Sequence, residues 1–117
     1  FSSLTSATGR LVAAFGGYGE KQLRTLFPTI HWDRPPGIDE WLGEVDQART
    51  LGWAVDRDRF KNGITAYAVP VLSQSGAITH SLVAMGLSAE MATLDGTELV
   101  RAMQREADMI SRELHIV

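Results

Sequence analysis

Two apolar runs separated by one polar turn constrain this chain more than any other feature. Ile64 to Leu72 and Ala77 to Leu87 each read as a strand, and only Ser73-Gln74-Ser75-Gly76 lies between them. Strands joined so tightly pair antiparallel, because a parallel return needs a crossover on the order of a dozen residues. With Gln74-Ser75 as a two-residue loop, Ala66 faces Val83 and Ile64 faces Met85. Side chains alternate with period two, so Ile64, Ala66, Val83 and Met85 share one face. A slip of one residue would turn that set to the other face.

The rest of the chain reads mainly as helix. Thr5-Ser6-Ala7-Thr8-Gly9 leads into Arg10-Leu11-Val12-Ala13-Ala14-Phe15, a hydroxyl-rich cap before helix formers. Gly16-Gly17 ends that helix. A second short helix runs from about Glu20 to Phe27 and stops before Pro28. Thr29 to Gly37, with Pro35-Pro36, is a loop. Ile38, Trp41, Leu42, Val45, Ala48 and Leu51 then form a helical stripe closed by Gly52. Trp53-Ala54-Val55 reads as a short strand. The last helix spans Asp95 to about His115. Asp95 and Glu98 resemble a capping box at its start, and Leu99, Ala102, Met103, Ile110 and Leu114 mark its buried side. Asp108 and Arg112 are placed as an i, i+4 pair on its wet side. The expected fold class is α+β: an antiparallel sheet with flanking helices.

Length and composition narrow the functions open to such a fold. The 117 residues make one domain, 1–117, with an ordinary 44% hydrophobic and 21% charged content. Eleven basic residues against 14 acidic ones give a net charge of −3, which offers no footprint for nucleic acid. The absence of cysteine excludes a disulfide scaffold, a thiolate nucleophile and a thiolate-held metal. No apolar run reaches the roughly 18 residues of a membrane span, so no membrane partner is expected. The start, Phe1-Ser2-Ser3-Leu4, has neither an initiator Met nor the charged and apolar regions of a signal peptide. The chain is therefore read as a cytoplasmic piece of a longer protein.

Few residues point to chemistry. His31, His80 and His115 lie neither at i, i+4 from one another nor in an HExxH setting, so no metal or cofactor is expected. Serines are plentiful, but G-x-S-x-G is missing. Asp56 and Asp58 are paired carboxylates two apart that a hydrolase could use, and they read as a solvated turn after a strand. Arg57, Arg59 and Lys61 interleave with them as a solvated face. Gly16-Gly17-Tyr18-Gly19 lacks the Lys-Ser/Thr of a phosphate loop. Thr8-Gly9 is a helix start, where unpaired N–H groups attract anions, although simple capping also explains it. The face holding Ile64, Ala66, Val83 and Met85 fits either a pocket floor or packed core.

Four segments, taken in order, resemble the IclR family of transcriptional regulators. Thr5-Ser6-Ala7-Thr8-Gly9-Arg10-Leu11-Val12-Ala13-Ala14 is similar to its "T-A-x-G-K-A-L-L-A". Ala48-Arg49-Thr50-Leu51-Gly52-Trp53-Ala54-Val55-Asp56 resembles "R-x-x-G-Y-A-x-D". Phe60-Lys61-Asn62-Gly63-Ile64 followed by Ala68-Val69-Pro70-Val71 resembles "E-x-x-x-G-x-x-x-x-A-x-P-V". Ile110-Ser111-Arg112-Glu113-Leu114 resembles the closing "I-S-x-x-L".

The resemblance implies a GAF-like effector-binding and oligomerisation domain, truncated at its N-terminus. The winged helix–turn–helix that binds DNA and the first sensor strands would lie outside this chain. It implies no enzyme activity, a homodimer or homotetramer, and DNA contact only through the missing domain. The effector-binding positions it implies are Thr8, Gly9, Asp56, Ile64, Ala66, Val83 and Met85. Thr65, Ala66 and Tyr67 stand where the family often has an Arg and a Cys or Ser, and Val83 and Met85 replace serines. A more apolar pocket favours a larger organic acid, aromatic ones included, over very small polar acids. The alternative is a GAF- or PAS-like sensor or dimerisation module of another signalling protein.

Overall fold

The computed structural model describes residues 6–114. Helices α1 (Ser6–Phe15), α2 (Glu20–Leu26) and α3 (Ile38–Leu51) come first. Strands β1 (Ala54–Arg57), β2 (Ile64–Leu72) and β3 (Ile78–Leu87) follow, then α4 (Ser88–Met91) and α5 (Gly96–Glu113). The sheet is antiparallel in the order β1-β2-β3, with the most apolar strand in the middle. The expected α+β class is therefore observed. No helix among the described residues is long and apolar enough to cross a membrane.

The hairpin differs from the simplest register in an instructive way. Gly76 takes a left-handed φ of +88°, which extends the loop to Gln74-Ser75-Gly76; Ser73 N–H donates to Ala77 C=O across its base. Thr79 is then skipped, since Leu72 pairs with Ile78 but Val71 with His80. Its hydroxyl donates to the Val71 carbonyl at 3.0 Å. Each extra residue shifts the register by one. Together they move Ala66 opposite Met85, Ala68 opposite Val83 and Ile64 opposite Leu87. The expected partners were wrong by two positions, yet an even shift preserves the face.

β2 is buried on both sides because helices cover both. Ala66 and Ala68 face α1 and α3 and pack with Ala7, Leu11, Trp41, Val45 and Ala48. Two alanines in a row let the helix layer approach closely. Tyr67, Val69 and Val71 point the other way, onto Val100, Met103 and Ala107 of α5.

The helix ends follow local chemistry. Gly52 closes α3 at φ +79°, its N–H bonded to Ala48 C=O at 2.8 Å. Asp95 caps α5, its carboxylate accepting from the Thr97 and Glu98 N–H groups. Phe27–Thr29 is a separate 3₁₀ turn, and α4 is a short helix not expected from the sequence. On α5, Val100, Met103 and Ala107 are fully buried, while Leu114 is exposed. Residue Thr5 of the expected α1 cap and His115 lie outside the described residues.

Candidate functional site

The α1 side of the sheet collects the residues singled out in the sequence. Asp56 of β1 stands opposite Ala66 of β2, which stands opposite Met85 of β3. Ile64 and Val83 flank that row on the same face. α1 begins at Ser6, so Thr8 and Gly9 fall in its first turn and Gly9 is buried. Thr8 Oγ1 lies 3.1 Å from Ser81 Oγ, which fixes the start of α1 over β3. Ser81 is two residues from Val83, hence on the same face.

Exposure divides the set. Met85 is 66% exposed, and Val83 and Leu87 beside it are exposed as well. Together they form an open apolar shelf on β3 that α1 leaves uncovered. Ala66 is buried and belongs to the core under α1. Ala66→Trp is therefore expected to overpack and lower stability by about 1–3 kcal/mol or more, measured by chemical denaturation.

Asp56 is not the solvated turn residue of the sequence reading. It is 2% exposed, and both carboxylate oxygens are engaged. Oδ1 accepts from Arg10 Nη2 at 3.1 Å, and Oδ2 accepts from the Phe60 N–H at 3.1 Å. Arg10, also 2% exposed, donates its other terminal nitrogen to the Val55 carbonyl at 2.6 Å. Glu44 stands 3.6 Å away. Burial pushes the Glu44 carboxyl above its ordinary range, against the pull of Arg10 and Arg59.

Sequence reasoning missed Arg10, although a signal was present. Ala7, Arg10, Leu11 and Ala14 follow the i, i+3, i+4, i+7 rule, which places a cation on the buried stripe of α1. A charge there requires a buried partner, and Asp56 is that partner.

Asp58 does sit in a turn, at φ +65°, where its carboxylate accepts from the Gly63 N–H and the Ser88 hydroxyl. Arg59 pairs with Glu40 at 3.1 Å, and Arg57 and Lys61 are exposed. Among the described residues no three His, Asp or Glu side chains group as metal ligands, and His31 and His80 are exposed.

Comparison with known proteins decides the family. The family described as bacterial transcriptional regulator IclR, C-terminal, matches residues 4–112. The chain belongs to the IclR family. Its fold is similar to that of the repressor BlcR of Agrobacterium tumefaciens, at a TM-score of 0.77 and 19% identity, over 97% of this chain and 48% of that one. The Thermotoga maritima IclR matches at 0.71 and 21% identity, over 93% and 45%. A regulator from Alicyclobacillus acidocaldarius matches at 0.68 and 21%, over 92% and 43%. This IclR domain thus spans a little under half the length of those three structures. No curated protein matches it.

Proposed function

We propose that this IclR domain is the effector-binding and oligomerisation part of a transcriptional regulator. Its effector would be a small organic acid with an apolar, in particular aromatic, body. Binding would change DNA contact by an attached winged helix–turn–helix and carries no enzymatic step. The reading rests on one observation: an uncovered apolar shelf, Val83, Met85 and Leu87, beside the first turn of α1. The Thr8 N–H in that turn has no acceptor within the helix and suits a carboxylate. An apolar surface next to a few polar groups is the usual make-up of a small-molecule site. Homodimers or homotetramers are the assemblies that the family resemblance implies for this domain.

A hydrolase built on Asp56 is disfavoured, because the carboxylate is occupied by Arg10 and the Phe60 N–H. Membership of the family likewise disfavours a sensor module from an unrelated signalling protein.

A thermal-shift screen with aliphatic and aromatic acids tests the proposal. A binder at 100 times its Kd should add about 2.7 kcal/mol of stability. Met85→Glu should abolish that response without lowering the basal Tm, since Met85 is exposed. A flat response across the panel, or one that Met85→Glu leaves intact, would overturn the reading.

A further inference from the structure

The opposite face of the sheet holds a cleft of about 510 Å³, lined by none of the seven effector-binding positions that the resemblance implies. It lies between the end of β1, the hydroxyl residues where β2 and α4 begin, and the start of α5. Its volume falls within the roughly 300–1,000 Å³ typical of small-molecule sites.

The lining combines an aromatic platform with a cation. The Trp53 and Tyr67 rings lie near-parallel, 26° apart, with centroids separated by 6.2 Å. Arg57 stands over the Tyr67 ring at 5.7 Å and donates from Nη2 to its hydroxyl at 3.2 Å. That contact holds the guanidinium in place and leaves its remaining donors free of hydrogen-bond partners in the described structure. Met91 and Leu94 add apolar surface. Thr65 and Ser88 are joined by a 2.8 Å hydroxyl contact, and Ser88 donates to Asp58 at 2.6 Å.

The platform is built into the fold. A Cβ on Gly96 would come within 2.7 Å of the Tyr67 hydroxyl, so the glycine lets α5 start directly above the ring. The helix start is already capped by Asp95 and offers no charge of its own. Arg57 is therefore the group that selects an anion.

We propose that this cleft is a second binding site, specific for an aromatic monocarboxylate. The carboxylate meets the Arg57 guanidinium and the ring lies against Trp53. Planar guanidinium matches carboxylate in a bidentate pair and prefers it to a point charge. Asp58, also in the lining, disfavours a second negative charge on the ligand. The site stands apart from the α1-side shelf: β2 lies between them, with its Ala66 on one face and its Tyr67 on the other.

The test is an NMR titration of the 117-residue chain with benzoate, benzamide and cyclohexanecarboxylate. Benzoate should give saturable shifts of the Trp53 indole N–H and of the Ser88 and Thr97 amides. Benzamide, which lacks the charge, and cyclohexanecarboxylate, which lacks the flat ring, should each bind about tenfold more weakly. Arg57→Gln should weaken benzoate about tenfold with an unchanged Tm, and Arg57→Lys should recover only part of it. Met85→Glu should have no effect here, which separates this site from the shelf on β3. Three outcomes would overturn the proposal: no saturable shift at millimolar benzoate, shifts confined to Thr8, Val83 and Met85, or equal benzoate affinity in Arg57→Gln.

Discussion

Arg10→Ala should cost this domain about 3–5 kcal/mol, because it leaves the Asp56 carboxylate buried without its cation. The two groups are each almost fully enclosed and meet at 3.1 Å. Removing the guanidinium also strips the Val55 carbonyl of the donor it meets at 2.6 Å. Asp56→Ala should cost a similar amount, since Arg10 would then retain Glu44, at 3.6 Å, as its one charged partner among the described residues. Replacing both partners together, as Arg10→Met with Asp56→Leu, should recover much of the loss. A buried pair is often no more stable than apolar side chains of similar volume, whereas half of one is always worse. Urea denaturation of wild type, Arg10→Met, Asp56→Leu and their double variant closes the double-mutant cycle. Single-variant losses below about 1 kcal/mol, the range of an exposed pair, would contradict the buried geometry.

Trp41→Ala should be comparably severe, at about 3–5 kcal/mol. Trp41 is fully buried in the first turn of α3 and packs against Phe27 with ring centroids 5.4 Å apart. It joins the 3₁₀ turn after α2 to the layer that covers Ala66 and Ala68. Truncation opens a large cavity there, and the surrounding helices can collapse only in part. Its indole Nε1 is buried without a hydrogen-bond partner. Trp41→Phe should thus cost much less, because the lost contacts are offset by removal of an unpaired donor. Equal midpoints for Trp41→Ala and wild type in guanidinium denaturation would mean that α3 is not seated on the sheet.

The elements of the fold were legible wherever one face of one element decides the pattern. In α3 the helical period picks out Trp41, Val45 and Ala48, which are buried, and Gly52 supplies the left-handed cap locally, but Leu51 at the end of the expected stripe is exposed. Asp95 likewise caps the head of α5 locally. The hairpin was legible as a pair of strands but not in its register. That depended on Gly76 choosing a left-handed conformation and on Thr79 being skipped, two residue-level choices that period-two alternation cannot distinguish. On α5 the amphipathic pattern was visible, yet which of its apolar residues are fully enclosed depends on where β2 lies beneath it.

For the candidate site the division is sharper. By itself the sequence determined the α+β class, the family, and the common face of Ile64, Ala66, Val83 and Met85, because alternation survives any even shift of register. Only the tertiary structure decided which of them meet solvent: α1 settles over Ala66 and stops short of Met85. It also decided the state of Asp56, which a residue 46 positions earlier neutralises. The cleft of Trp53, Arg57 and Tyr67 likewise exists only once β1, β2 and α5 converge. Contacts of that kind join residues far apart in the chain, and no local period or motif records them.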